Sequence, residues 1–478
     1  MRRLLAGLAI AVGLGMACGG PAYAGTGTSA PEEFGGMNAQ WVFWGPQQTW
    51  AANLDAIAAG GVKTVRFDAT WNTIEPVPPV LGNHLYIWNT PDSIVTELAN
   101  RGMRWQPVLA YSALWASSVA GDEHAPPASA ADYAAFVGAF AARYGQGGAF
   151  WRAHPELVAR PVRSFEIWNE EDLNIYWKPT ANAAAYADLY AAARAAVHAA
   201  DPTATAMVGG IGDPYHAPQY VEAMLAHRPD LRGNLDAVGL HPYTASAAAS
   251  LQLVVNLRRG LQYLGSGDAP IAVTEIGWTT TGANPVTDAY RAAQLSQITR
   301  DLARSDCGVS VVDVHTWVTF ELTGDAQYGY GIVHPNGSQT ASAPAYFAAL
   351  RAVQDGSAGA PGSLKACWPD APSPPAPPTS GGSGTGTEGS TSAPSPEPPP
   401  AGSSSPPPGA PSSDPPPAPA GSPPASSPVA APKPPASTPT VKSSKTASKC
   451  KPTKAKGKGK AKRCPAKKKK PKAKGKHR

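Results

Sequence analysis

After its first two dozen residues the 478-residue chain has no apolar run of membrane-spanning length, which for a helix is about 20 residues. Beyond Trp368 it contains no Leu, Ile, Met or aromatic residue. Such a stretch cannot offset its own ordering entropy by burial, so a second packed domain is excluded there. Between residues 441 and 478 acidic side chains are missing, while Lys and Arg number 18. The remainder of the chain therefore carries 22 basic against 34 acidic groups, a balance of −12 hidden beneath the overall +6. A phosphate-binding glycine loop, a zinc-spaced Cys/His cluster and a serine nucleophile elbow are all lacking, which removes the commonest nucleotide, zinc and serine-hydrolase chemistries.

What is present divides the chain into four parts. Arg2 and Arg3 precede an apolar run over residues 4–17, and Ala22-Tyr23-Ala24 follows. That pattern predicts a signal peptide over residues 1–24, cleaved near Gly25, and hence an exported protein. Residues 25–370 hold the material for a folded domain. Residues 371–440 contain 25 of the 52 prolines and read as an extended, semi-rigid disordered linker. The Lys-rich segment 441–478 reads as a disordered tail that holds the protein at the cell surface, through charge, on an anionic wall polymer or acidic polysaccharide. Of five cysteines, Cys18 leaves with the signal peptide. The simplest pairing of the rest in an oxidising compartment joins Cys307 to Cys367 and Cys450 to Cys464, although four cysteines permit three connectivities.

Within the domain, short β-branched runs alternate with alanine-rich segments of helical period, the pattern of repeated βα units around a parallel sheet. Strands are expected over residues 40–44, 64–68, 105–110, 163–168, 204–208, 237–241, 271–275 and 309–317. The clearest helices are expected over 130–143, 181–200, 288–303 and 343–353. Eight units in this length fit an α/β architecture, the (β/α)8 TIM barrel. An open doubly wound sheet would carry a glycine-rich loop after its first strand, and Trp44-Gly45-Pro46 is not one.

A TIM barrel sets its reacting groups at the C-terminal ends of its strands. Strand four ends Trp168-Asn169-Glu170 and strand seven ends Thr274-Glu275-Ile276, so two carboxylates stand at matching heights. Glycoside cleavage uses such a pair, one to protonate the departing oxygen and one to attack the anomeric carbon. Arg66 on strand two and Tyr243 after strand six would keep a nucleophilic Glu275 ionised, and the ionised partner would help Glu170 keep its proton.

These residues resemble clan A of the glycoside hydrolases, in particular its family 39-like and family 5-like enzymes, from about Asn38 to Leu350. The resemblance rests on Asn169-Glu170 with the distant Thr274-Glu275-Ile276-Gly277-Trp278. It implies Glu170 as acid/base, Glu275 as nucleophile, Arg66 beside the nucleophile and Asn169 on the sugar 2-hydroxyl. It also implies His241 and Tyr243 around the reacting centre and Trp317 as a floor under the cleaved sugar. The implied activity is retaining hydrolysis of a β-linked oligo- or polysaccharide. A transglycosylase would use the same residues, and a non-catalytic glycan-binding envelope protein is the competing class. The chemistry needs neither cofactor nor metal, and a monomer is expected.

Where many relatives have Pro after the Asn-Glu pair, this chain has Glu171. It is expected to turn outward, because a second inward carboxylate would be costly. Glu166 shares strand parity with Trp168 and Glu170 and is expected to be a buried structural acid with a basic partner. Asp313 and His315 are candidates for the same interior polar layer. Among Trp44, Trp71, Trp177, Trp278 and Trp317, the two nearest the catalytic strands, Trp278 and Trp317, are expected to contact sugar.

Overall fold

A computed structural model describes residues 30–320 and 325–369. The predicted signal peptide, linker and basic tail, with Cys450 and Cys464, lie outside the described residues. Among the described residues, no helix is long and apolar enough to cross a membrane.

Eight strands form the sheet: β1 Gly35–Asn38, β2 Thr64–Asp68, β3 Arg104–Leu109, β4 Ser164–Ile167, β5 Thr205–Ile211, β6 Ala237–Leu240, β7 Ile271–Ile276 and β8 Val309–Val314. Each pairs in parallel with its chain neighbour, and β1 pairs with β8 to close a barrel. The chain is therefore a (β/α)8 barrel. Parallel strands with helices outside and packed side chains inside are buried on both faces, and β3 and β6 are buried along their whole length. The main apolar core lies between barrel and helices. A separate small cluster of Met207, Ala237, Ala272 and Val311 comes from four successive strands.

The long helices start where the sequence supplies an N-cap. Ser129 Oγ accepts the Asp132 amide for helix Ala130–Tyr144, and Asn182 Oδ1 accepts two amides for helix Ala183–Ala200. Ser246 and Thr287 do the same for Ala247–Tyr263 and Asp288–Arg304. Each cap satisfies donors that the first turn leaves unpaired. On Ala183–Ala200 the buried face runs Tyr186, Leu189, Tyr190, Ala193 and Val197. The Tyr186 hydroxyl donates to Ile167 O at 2.7 Å and accepts from Gly209 N at 2.8 Å, tying the ends of β4 and β5 together.

Three expectations about elements need correction. The first strand precedes residues 40–44, where Gln40–Phe43 is instead a helical turn. A four-residue apolar run fits a buried turn as well as a strand, whereas Gly35-Gly36 offers no side-chain pattern to read. The last strand stops at Val314, three residues short of Trp317. Trp168 does not continue the inward parity of Glu166, because β4 ends at Ile167 and Trp168 has φ of +72°. The predicted disulfide is present: Cys307 and Cys367 are bonded with Cα atoms 5.3 Å apart. It joins the segment before β8 to the chain after helix Ser342–Gln354.

Candidate active site

Arg66 of β2, 4% exposed, organises the C-terminal mouth of the barrel. Its Nε and one Nη grip the two oxygens of Glu166 at 2.7 and 2.9 Å. The remaining bonds run to Asn38 Oδ1 at 2.8 Å, Glu275 Oε1 at 2.7 Å and Asn169 Oδ1 at 2.7 Å. All five guanidinium donors are thereby used. Glu166 is the buried, arginine-paired acid that parity predicts, and it also accepts from Gly210 N at 3.0 Å. Asn38 passes the contact on by donating to Thr274 O at 2.9 Å.

The turn after β4 delivers Glu170. Trp168 and Glu170 both take positive φ, +72° and +51°, conformations that cost non-glycine residues roughly 1–3 kcal/mol each. The turn is held by Trp168 Nε1 donating to Tyr176 O at 2.8 Å and by Glu170 N donating to Gly210 O at 3.1 Å. Gly210 must lack a side chain, since a Cβ there would stand 2.0 Å from His241 Nε2. Between these two residues, Asn169 donates to the Tyr111 hydroxyl at 3.1 Å.

Glu275 and Glu170 are held unequally. Glu275 Oε1 takes the Arg66 bond and Oε2 accepts from the Tyr243 hydroxyl at 2.8 Å. Two imidazoles stand close by, His315 Nδ1 at 3.4 Å and His241 Nε2 at 3.9 Å. Among the described residues Glu170 Oε1 has one hydrogen-bond partner, His241 Nδ1 at 2.8 Å. The other ring nitrogen of His241 is paired with Thr274 Oγ1 at 3.1 Å. A carboxylate oxygen of Glu170 and one of Glu275 lie within 4.8 Å of each other.

The electrostatics follow from those contacts. Burial alone would raise the Glu275 pKa, yet His241, His315, Arg66 and the Tyr243 hydrogen bond hold it well below the usual carboxylate range. Burial raises the Glu170 pKa against the pull of His241, and the charges of Glu275 and Asp172 add to the rise. Burial lowers His241, but the two carboxylates bring it above its ordinary value. At the end of β2, Asp68 is raised to about 6 by burial, with Arg66 opposing and Glu275 adding. The site thus presents one strongly ionised carboxylate facing one that keeps its proton more readily, the division of labour that acid/base work requires.

The structure brings together Arg66, Asn169, Glu170, His241, Tyr243 and Glu275. Trp278 is 4% exposed and forms part of the wall of an adjoining cavity. Trp317 is not brought in: it is 1% exposed, donates to Asn53 Oδ1 at 2.9 Å and lies against Phe347, so no face is left for a sugar. His315, at the actual end of β8, stands beside Glu275 and Tyr330 in its place. Asp313 lies inside the barrel, accepting from Gln106 at 3.0 Å. Trp71 and Trp177 are buried among aromatic neighbours, and Trp44 is 59% exposed.

Glu171 contradicts its expectation outright. It is fully buried, and neither carboxylate oxygen has a hydrogen-bond partner among the described residues. A Cβ at Gly209 would stand 2.3 Å from its Oε2. The two positive-φ residues before it reverse the chain, and this reversal folds Glu171 inward where an extended loop would have turned it to solvent. Asn38 and Tyr111 were missed as members of the site, and His315, expected in the interior polar layer, stands beside Glu275. The misplaced first strand hid Asn38, and the overlong last strand gave Trp317 the place that His315 holds.

The sequence model of the cellulase family, glycosyl hydrolase family 5, matches residues 24–312, more than half of the chain. The chain belongs to glycosyl hydrolase family 5. No curated protein sequence matches this family 5 glycoside hydrolase. Solved structures do resemble it. A monomeric β-xylosidase from Caulobacter crescentus is 19% identical with a TM-score of 0.52, covering 67% of this chain and 68% of that one. The family 39 enzyme from Xanthomonas axonopodis pv. citri is 19% identical with a TM-score of 0.51, covering 68% and 67%. A family 5, subfamily 18 enzyme from Bifidobacterium longum subsp. longum, solved with Manβ1-4GlcNAc, is 10% identical with a TM-score of 0.50, covering 66% and 78%. At such identities the likeness concerns the barrel.

Proposed function

We propose that this family 5 glycoside hydrolase cleaves β-linked oligo- or polysaccharides with retention of anomeric configuration, through a covalent glycosyl-enzyme intermediate. The carrying observation is that one oxygen of each carboxylate lies within 4.8 Å of one of the other, a nearest approach that supports the shorter of two known separations. Retaining pairs stand about 5–5.5 Å apart, whereas inverting pairs leave roughly 6.5–9.5 Å for a water. Glu275, ionised and aimed by Arg66 and Tyr243, attacks the anomeric carbon as the glycosidic C–O bond breaks. Glu170 gives its proton to the departing oxygen. It then takes a proton from the water that attacks the glycosyl-Glu275 ester, releasing the sugar and restoring both groups. Arg66 and Asn169 stay fixed beside the nucleophile, and Asn169, His241 and Tyr243 line the path of the substrate. Transglycosylation differs only in the acceptor that replaces water.

The test is a panel of chromogenic β-xyloside, β-glucoside, β-galactoside and β-mannoside, followed by proton NMR of the first product. The β-xyloside heads the panel because the structurally similar Caulobacter protein is a β-xylosidase. Plant and bacterial β-glycans follow the panel. Initial release of the β-anomer is expected; initial α-anomer, or hydrolysis of none of the glycosides and none of the β-glycans, overturns the proposal.

Export and surface retention rest on the sequence: the signal-like N-terminus, the proline-rich spacer and the acid-free basic tail. Charge-driven attachment weakens as salt screens it. Full-length protein should therefore bind cells at low ionic strength and leave them at high salt, and a chain ending near residue 370 should not bind. Binding that survives either change overturns the anchoring role.

A further inference from the structure

Directly after Asn169-Glu170 the chain continues Glu171-Asp172, and the carboxylate of Asp172 reaches across to the neighbouring strand. Its Oδ1 accepts from Gly212 N at 2.8 Å and its Oδ2 from Asp213 N at 2.7 Å, the two amides that follow β5. Successive backbone amides turned toward one anion make a seat for it. Hydrogen bonds to an ionised acceptor are roughly twice as strong as neutral ones, so this is a firm clasp between two loops at the barrel mouth.

The clasp closes on the segment that supports Glu170. Glu170 N donates to Gly210 O at 3.1 Å. The Glu170 side chain lies along the same segment, since a Cβ at Gly212 would stand 3.0 Å from Glu170 Cγ. Between those two points Ile211 O accepts from His241 N at 3.1 Å, and His241 Nδ1 in turn meets the Glu170 carboxyl at 2.8 Å. Backbone, Cγ and carboxyl of Glu170 therefore all take their places from residues 210–212. The turn that delivers Glu170 works against this arrangement. Positive φ at Trp168 and Glu170 persists only where the surroundings over-determine it. Gly210 fastens the turn at Glu170 itself, and Asp172 fastens the chain just beyond it.

We infer that Asp172 is a positioning residue for the proton donor. By pinning Gly212 and Asp213 it fixes where the Glu170 carboxyl stands relative to the departing oxygen, acting through Glu170 rather than on the sugar. The inference rests on the proposed role of Glu170. Its effect is confined to steps in which Glu170 moves a proton, because Glu275 is held separately by Arg66 and Tyr243.

The test reads kcat/KM, which reports cleavage of the glycosidic bond, for Asp172→Ala and Asp172→Asn on two substrates. These are an alkyl and a dinitrophenyl β-glycoside of whichever sugar the wild-type protein hydrolyses best. Asp172→Ala should lose about ten- to a hundred-fold on the alkyl glycoside, the scale of a misplacement of roughly 1 Å. On the dinitrophenyl glycoside, which leaves unprotonated, the loss should stay below about two-fold. Asp172→Asn offers one acceptor to the two amides and should show the same contrast at smaller size; it carries the test if Asp172→Ala does not fold. Either substitution added to Glu170→Ala should cost the alkyl glycoside nothing further, since a positioning residue has no effect without the group that it positions. Equal losses on the two glycosides, no loss on either, or a full additional loss in the Glu170→Ala background overturns the role of Asp172. A Glu170→Ala protein that itself shows no contrast between the two glycosides overturns the proposed function instead.

Discussion

His241 touches both catalytic candidates: its Nδ1 is 2.8 Å from Glu170 Oε1 and its Nε2 is 3.9 Å from Glu275 Oε1. It is the one described side chain paired with Glu170, whereas Glu275 has Arg66 and Tyr243 besides.

A pH prediction follows from that pairing. With Glu170 as the proposed general acid and Glu275 as the proposed nucleophile, kcat/KM of the free enzyme should require the first protonated and the second ionised. His241 pulls both pKa values down. Its replacement, His241→Asn, should therefore move the alkaline limb, set by Glu170, to higher pH, and move the acid limb set by Glu275 the same way. The maximal rate should fall because Glu170 loses its positioning contact. The measurement is a kcat/KM profile on an aryl β-glycoside with a poor leaving group; an alkaline limb displaced to lower pH contradicts the assignment.

The two carboxylates should also separate by substrate. Glu275→Ala removes the attacking atom, so turnover of every glycoside should drop below detection. Glu170→Ala should cost about 10²–10⁴-fold on alkyl or sugar leaving groups, the usual worth of general acid catalysis. On dinitrophenyl glycosides, which leave without protonation, the loss in bond cleavage should be far smaller. Pre-steady-state release of dinitrophenol measures that step directly, and equal losses on both substrate kinds contradict the division of roles.

Much of this site was legible because its residues sit where strand ends can be counted. β2 and the ends of β4 and β7 carry Arg66, Glu170 and Glu275, and the alternation of side chains placed Glu166 inside correctly. Legibility ended where the backbone stops alternating. The positive φ angles at Trp168 and Glu170 took Trp168 out of the barrel interior, to pack on Tyr133 and Trp177, and took Glu171 out of solvent, and no property of Trp, Asn or Glu announces such a turn. The exchange of Trp317 for His315 has the same origin: β8 ends at Val314, yet the apolar, β-branched pattern runs on. Glycines explain the first strand, where packing against the neighbouring strands rather than side-chain pattern decides the structure.

The disulfide predicts a stability effect without a catalytic one. Cys307–Cys367 closes a loop of 60 residues, for which chain entropy gives about 4 kcal/mol. Cys307 precedes β8 and so lies at the barrel end away from Glu275, near the C-terminal end of β7, and Glu170, just past the end of β4. A Cys307→Ser, Cys367→Ser double variant should lower the unfolding free energy obtained by urea titration by an amount of that order, with a lower midpoint, while kcat/KM at 25 °C holds. A midpoint within error of wild type would show that the open chain is already constrained.

Glu171 supplies the remaining prediction, through linkage. Burial raises its pKa well above the ordinary carboxylate value, and the charge of Asp172 adds to the rise. In the unfolded chain the group titrates near its usual value of about 4.3. Between those two values the native state therefore binds a proton that the unfolded state has lost. The slope of stability with pH is proportional to protons bound by the unfolded state minus those bound by the native state, so here it is negative. Glu171 favours the fold below the unfolded pKa and penalises it as pH rises toward the folded one. Glu171→Gln keeps the shape and cannot ionise, so its contribution does not change with pH. The variant should gain melting temperature on wild type steadily from pH 4 to pH 7, whatever the sign of the difference at pH 4. The readout is the slope of that difference, which a merely poorer fit of the amide would not produce. A difference that stays constant across the range would mean that Glu171 is ionised and compensated in the native barrel.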